Sequence, residues 1–233
     1  SSKTAYVQVT IAVGATDQVT EEPPAEEPVD AVTNDGETIT LEDISNHWGK
    51  DMITGMVEKG IVKGYDDGTF KPNSNLNRAE AAALLYRVLG LEEPAAPTLA
   101  PFTDVTDLAG WFTGYVSHLK ELLIIGGYAD GSFKPGAEIN RAEFLKLAMN
   151  TYKYLVSAET KATITGYETG AMTTAYADLK STDWFASTVT AATQLGFVGG
   201  KDCQTDKKCF DGGSLITRAE ATKILYNMFF TML

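Results

Sequence analysis

An arginine stands second in the same four-residue pattern at three places: Asn77-Arg78-Ala79-Glu80, Asn140-Arg141-Ala142-Glu143 and Thr217-Arg218-Ala219-Glu220. Asparagine or threonine followed three residues later by glutamate is a capping box. The cap side chain takes the third backbone N–H, and the carboxylate returns to the cap N–H. Helix caps therefore account for Asn77, Glu80, Asn140, Glu143, Thr217 and Glu220. They do not account for Arg78, Arg141 and Arg218, because the positive end of the helix dipole disfavours a cation in the first turn. Two chemistries would explain the arginines. A guanidinium fork beside unsatisfied N–H groups is a site for a carboxylate or phosphate. Alternatively, each arginine pairs with an acid of a neighbouring repeat, such as Asp43, Asp104 or Asp178. The first reading predicts that truncating the arginines abolishes anion binding at little cost in stability; the second predicts unfolding.

Three tryptophans, Trp48, Trp111 and Trp184, each precede a helical run. Exposed, they would be platforms for a sugar ring; buried, they would be core. Tyr65 to Pro72 and Tyr128 to Pro135 read Tyr-x-Asp-Gly-(Thr/Ser)-Phe-Lys-Pro. These are turns, in which Asp-Gly bends the chain and phenylalanine anchors it. Lys71 and Lys134 would add positive charge beside the arginines. In the third copy this place holds Cys203 and Cys209 with Asp202, Asp206 and Asp211. Clustered carboxylates raise calcium as a cofactor, although the spacing is not that of an EF-hand loop. With no second cysteine pair and no nearby histidine for zinc, Cys203 and Cys209 read as a structural disulfide. It would contribute about 2–2.5 kcal/mol on the chain-entropy model and implies an oxidising, extracytoplasmic setting. The third copy lacks the tyrosine and Lys-Pro, and its loop is expected to be dispensable for binding by the other two copies.

Catalysis has little support. The two histidines, His47 and His118, flank different repeats at non-equivalent places. No Gly-x-Ser-x-Gly, phosphate loop or dinucleotide fingerprint is present. Paired carboxylates for glycoside hydrolysis would have to come from acids already used by caps and turns.

Elements that would position these residues follow from the repeat. Helices are expected over about 50–60, 78–89, 112–125, 141–154, 185–196 and 218–230, two per unit, which makes the fold mostly α. The units run 41–95, 96–155 and 176–233. Between the last two lies an insertion, 156–175, where Thr163-Ile164-Thr165 and Met172-Thr173-Thr174 predict a small hairpin. Residues 5–13 alternate as a half-buried strand that needs a partner, from an upstream domain or from an identical subunit in a surface assembly. Residues 14–40, with Glu-Glu-Pro-Pro-Ala-Glu-Glu-Pro at their centre, read as an extended linker. The chain opens on Ser1 without a basic-plus-apolar leader, and so is expected to be processed, truncated or a fragment.

Net charge is −12 over 233 residues. Residues 1–40 hold eight acids against one base, and residues 41–233 carry the remaining −5. Nucleic acid would be repelled, and no apolar stretch is long enough to span a membrane.

The combination (Phe/Tyr)-x-Asp-(Val/Leu), Trp, helix, Gly-Tyr-x-Asp-Gly-(Thr/Ser)-Phe-Lys-Pro and (Thr/Asn)-Arg-Ala-Glu, in three copies over about 41–233, resembles the S-layer homology (SLH) domain. The resemblance implies three helix–loop–helix units in a pseudo-threefold spindle with grooves between them. It implies a bacterial cell-surface location and non-covalent attachment to wall glycan, often a pyruvylated secondary polymer. Family ligand contacts then map to Arg78, Arg141 and Arg218 with Trp48, Trp111 and Trp184. Two of the motifs begin with asparagine where threonine is usual; the cap survives that change, but a hydroxyl contact to ligand does not.

Overall fold

The computed structural model describes residues 31–34, 37–173, 175–204, 206–230 and 232. The strand expected at 5–13 lies outside them, and with it the subunit pairing built on that strand.

The described chain is mostly helical. Its elements are β1 (Ala31–Asn34), β2 (Glu37–Thr40), α1 (Lys50–Glu58), α2 (Arg78–Val88), α3 (Thr113–Glu121), α4 (Arg141–Leu155), α5 (Ala158–Thr169), α6 (Ala186–Gln194) and α7 (Arg218–Phe229). Each unit contributes a pair: α1 with α2, α3 with α4, α6 with α7. The first helix of each unit packs on the second helix of the preceding one: α3 on α2, α6 on α4 and α1 on α7. Alanines at 79, 81, 82 and 83 give α2 high intrinsic helicity and let its neighbours approach closely. The core is continuous across the three units and includes Phe70, Phe133 and Phe210, the loop phenylalanines, all essentially buried.

Two expectations need correction. Residues 31–34 and 37–40 are not part of an extended linker: β1 and β2 pair antiparallel, with Val32 opposite Ile39 and Thr33 opposite Thr38. The Asp35-Gly36 pair that joins them in sequence is a strong two-residue hairpin signal. Residues 158–169 form α5 instead of a hairpin strand. Ser157 caps it by accepting from the Thr160 N–H. The hydroxyls of Thr163, Thr165 and Thr169 donate to carbonyls one turn back, which removes the conflict that polar β-branched residues bring to a helix. Ile164 is fully buried, and Lys153 of α4 pairs with Glu168 at 2.6 Å.

Three pre-helix segments tie the units into a ring. The Leu76 N–H donates to the Ile216 carbonyl at 3.0 Å, Ile216 to Ile139 at 3.1 Å, and Ile139 to Leu76 at 3.0 Å. All three side chains are buried. Around this cycle the Arg78, Arg141 and Arg218 N–H groups donate to Ala137, Ser214 and Ser74, each at 2.9 Å. The next N–H groups, of Ala79, Ala142 and Ala219, donate to Pro135, Gly212 and Pro72.

Every loop is held by one aspartate. Asp43 accepts the N–H groups of Phe70 and Lys71, Asp104 those of Phe133 and Lys134, and Asp178 those of Phe210 and Asp211, all at 2.7–2.8 Å. These paired charge-assisted bonds hold Lys71, Lys134 and Asp211 in the left-handed region, at φ of 56°, 56° and 59°. Within the first loop, Asp67 accepts from the Thr69 N–H and hydroxyl and pairs with Lys71 at 2.9 Å. Those hydrogen bonds, the Thr69 hydroxyl first, hold its carboxyl at about 2, below its ordinary 3.8.

After α1 and α6 the chain turns on Gly60 and Gly196 at positive φ; after α3 the same turn falls on Leu123, at φ 58° with 86% of its surface exposed. A left-handed leucine costs about 1–2 kcal/mol that glycine avoids, against about 0.5–1 kcal/mol of glycine entropy. Leu123→Gly is therefore expected to raise stability by roughly 0.5–1 kcal/mol, read as a higher midpoint in urea at unchanged m-value. Asp67 has its folded pKa depressed, so its contribution is complete above pH 4 and is lost as pH falls toward 2. Melting curves across that window should show an acid-dependent loss that is smaller in Asp67→Asn, with Asp130 and Asp211, also held below their ordinary values by hydrogen bonds to Ser132 and Ser214, supplying the remainder.

Candidate functional site

The helix-start signals form as geometry. Asn77, Asn140 and Thr217 each accept from the N–H of Glu80, Glu143 and Glu220, and each glutamate returns a carboxylate oxygen to the cap N–H. Because the first two N–H groups of each helix go to a neighbouring unit, the helix starts are not open to an anion. That part of the arginine reading is corrected.

The alternative, pairing with an acid of a neighbouring repeat, is met in part: Arg218 Nη1 stands 4.0 Å from Glu80 Oε1 of the first unit, while Asp43, Asp104 and Asp178 hold their own loops. All three arginines also reach carbonyl oxygens across unit boundaries. Arg78 donates through Nε to Phe133 at 2.7 Å and through Nη2 to Gly126 at 3.4 Å. Arg218 donates through Nε to Phe70 at 2.8 Å and through Nη2 to Lys63 at 3.1 Å. Arg141 donates through Nη2 to Gly199 at 3.0 Å; its buried Nε meets no acceptor among the described residues. All three are only 6–7% exposed. Burial presses the Arg141 and Arg218 guanidinium groups below their ordinary pKa, opposed by Glu220 for the first and by Tyr65 and Glu80 for the second. Both stay charged at neutral pH.

Aromatic rings share the load. The Arg78 guanidinium lies over Tyr128 and Phe133 at 4.9 and 4.6 Å, and Arg218 lies over Tyr65 and Phe70, both at 4.7 Å. Lys71 and Lys134 sit over the same tyrosines at 4.1 and 4.2 Å. The lysines thus share a tyrosine ring with the arginines, and they are not among the residues lining the clefts described next.

The tryptophans are not core. Trp48, Trp111 and Trp184 are 55%, 60% and 62% exposed. Each lines a cleft with an arginine from a different unit. Trp184 and Arg78 flank a cleft of about 300 Å³ walled by Tyr128, Glu143 and Lys146. Trp48 and Arg141 flank one of about 260 Å³ walled by Lys201, Glu220 and Lys223. Trp111 and Arg218 flank one of about 300 Å³ walled by Tyr65, Glu80 and Arg87. The rule is cyclic: loop and second helix from one unit, arginine from the unit before, tryptophan from the unit after. Every cleft holds more cations than acids among its lining residues, on a chain whose net charge is −12.

The third unit rebuilds its wall. Cys203 and Cys209 form a disulfide. Lys201 takes the place of Tyr65 and Tyr128, and Asp211 that of Lys71 and Lys134. Lys201 Nζ bridges Glu220 at 2.8 Å and Asp211 at 3.3 Å. Asp202 pairs with Lys208, and Asp211 also accepts from Ser214 at 2.6 Å. The three aspartates are not assembled into a calcium site: no cluster of three His, Cys, Asp or Glu fit to hold a metal occurs among the described residues.

Lys146, Lys223 and Lys201 were not legible as site residues from the motif alone. A signal existed: Lys146 and Lys223 both stand five residues after the motif arginine, and Lys201 sits at the tyrosine's offset. The histidines are accounted for by packing. His118 stacks against Tyr86 and shares a hydrogen bond with it, and His47 Nδ1 accepts from the Gly49 N–H.

The S-layer homology domain model matches residues 40–82, 101–145 and 175–222, the three stretches that build this cyclic site. The chain belongs to the S-layer homology family. Among curated proteins, it is 31% identical to the S-layer protein sap of Bacillus anthracis over 78% of this chain and 20% of that protein. It is 30% identical to the exoglucanase XynX of Acetivibrio thermocellus over 82% of this chain and 16% of that enzyme. A cellulosome-anchoring protein of the same species is 40% identical over 41% of this chain and 21% of its own length. The chain thus spans about a fifth or less of these relatives. No described helix is long and apolar enough to cross a membrane.

The S-layer homology arginine is a latch between repeats, and that sets an expectation opposite to a purely ligand-binding role. Arg218→Ala should cost about 2–4 kcal/mol, because it strands two buried carbonyls and empties a stacked site. Chemical denaturation checks it; an unchanged midpoint would show the latch to be dispensable.

Proposed function

We propose that this chain is a non-catalytic anchor that holds a surface protein non-covalently to an anionic polysaccharide of the bacterial cell wall. The carrying observation is the pairing, in three clefts, of an exposed tryptophan face with an excess of buried or half-buried cations. An exposed indole lies flat against the apolar face of a sugar ring. The adjacent cations answer an acidic substituent on that ring. A carboxylate on a ketal, as in a pyruvylated sugar, carries both parts in one residue. Because the whole chain is negative, such a ligand is held by focal charge rather than by the overall field. The three units, closed by their backbone ring, form the pseudo-threefold spindle of this reading, with one ligand groove per boundary. Relatives named as S-layer proteins and as a cellulosome-anchoring protein agree with an anchoring role at the cell surface. A relative named as an enzyme shares only 16% of its length with this chain, which leaves room for a different part to carry its activity.

The decisive variant replaces Trp48, Trp111 and Trp184 together by alanine. Their exposure predicts a melting temperature close to that of the parent chain. Co-sedimentation with purified wall material should weaken by about tenfold or more, as for other aromatic anchors. Undiminished sedimentation would reject the grooves as the binding sites. Wall material stripped of its ketal-linked pyruvate should bind the parent chain poorly; equal binding would reject that substituent.

A further inference from the structure

The clefts repeat in plan but not in the state of their arginine. In two of them the guanidinium Nε is satisfied by a loop carbonyl, Phe133 for Arg78 and Phe70 for Arg218. In the third, Arg141 is turned toward Gly199, its ring contact with Phe210 is longer at 5.2 Å, and its buried Nε has no acceptor among the described residues. A buried donor on a charged group without a partner is rare and costly. The same cleft differs in a second respect. Beyond its cap N–H, its glutamate, Glu220, is bridged by Lys201 at 2.8 Å, whereas Glu80 in the Trp111 cleft has, beyond its own cap N–H, a tyrosine hydroxyl at 3.2 Å and a guanidinium at 4.0 Å. The Lys201 ammonium offsets part of the Glu220 charge that faces Arg141, and the Lys223 ammonium stands 5.4 Å from the Trp48 ring. Lys201 owes its position to the crosslinked loop. Its backbone pairs both ways with Cys209, at 2.8 and 2.9 Å, one half of the disulfide.

We infer that the Trp48–Arg141 cleft is the high-affinity anion subsite of the three, selective for a sugar residue bearing a carboxylate or phosphate, and that the Cys203–Cys209 disulfide maintains it by holding Lys201 on Glu220. The inference rests on the glycan-anchoring reading. The loop that replaces the Tyr/Lys-Pro segment is then a specificity element rather than a dispensable one. A ligand oxyanion meets the Arg141 guanidinium, which lines the cleft with one backbone bond where its counterparts have two, and it enters past two ammonium groups and one indole face. In the other two clefts the motif guanidinium is already committed to two backbone carbonyls, so an anion there gains less from it.

Three indole N–H signals make the test site-resolved: Trp48, Trp111 and Trp184 each report one cleft in a ¹⁵N-correlated NMR titration, assigned by single Trp→Phe variants. The probes are a methyl hexoside carrying a pyruvyl ketal, glycerol phosphate, and the unmodified methyl hexoside. The Trp48 signal should titrate with the ketal, the phosphate, or both, at a Kd about tenfold or more below that of the other two indoles, and should ignore the neutral sugar at those concentrations. The ketal and phosphate arms decide which oxyanion it takes. Lys201→Tyr, which restores the residue of the other loops, and reduction of the disulfide should each remove the Trp48 advantage. The Trp111 and Trp184 curves serve as internal controls for folding. Trp48 titrating with or after the other indoles, or keeping its advantage in both the variant and the reduced chain, overturns the inference. If the chain sediments with wall material while Trp48 stays still, the inference alone falls. If no indole responds and sedimentation also fails, the anchoring reading falls with it.

Discussion

Three backbone hydrogen bonds, from Leu76 to Ile216 to Ile139 and back to Leu76, are the constraint from which the rest of this molecule follows. They are short-range in space and long-range in sequence, and each joins a different pair of units. Once they are made, the N–H groups that open α2, α4 and α7 fall opposite carbonyls of the next unit. Each loop is then brought beneath the arginine of its neighbour, and each tryptophan projects over a cleft whose walls its own unit does not supply. No unit contains a complete cleft. The clefts are a property of the closed ring.

The arginines look anomalous only against an isolated helix. A cation near a helix start is unfavourable because of the partial charge on unsatisfied N–H groups. Here those groups are all bonded, the first two to a neighbour's carbonyls and the third to the cap, and the guanidinium adds donors aimed at the same neighbour. Carbonyls and ring faces make most of its contacts, and a single carboxylate, Glu80, stands 4.0 Å from Arg218. Such partners hold a buried cation without cancelling its charge, and the clefts remain positive on an acidic chain.

Most of the helical framework was legible in the sequence, because capping boxes are local. Asn77 with Glu80, Asn140 with Glu143 and Thr217 with Glu220 mark helix starts to the residue, and the amphipathic runs behind them place six helices. α5 was not legible, since its threonines satisfy their hydroxyls on the preceding turn and a single residue, Ile164, carries its burial. The β1–β2 pairing was obscured by the acidic, proline-rich stretch before it. For the clefts, the exposed tryptophans and the arginines were visible as residue types. Their partners were not, because a pairing such as Arg218 with Phe70 depends on how the third unit closes onto the first. The swap of Tyr and Lys for Lys201 and Asp211 was visible as a loss in the sequence. Only the geometry makes it an ion pair at the same place.

Closure of the ring also changes how the molecule bears force. In an open array of repeats, the terminal repeat has one neighbour and peels away first when the chain is pulled. Here the last unit grips the first through Arg218 and the Ser74 and Phe70 carbonyls, as firmly as the first grips the second. Tension entering next to α1 is shared at once between two boundaries, and there is no loose end at which tearing begins. Two hundred residues held in this way behave as a shackle rather than as a chain of links.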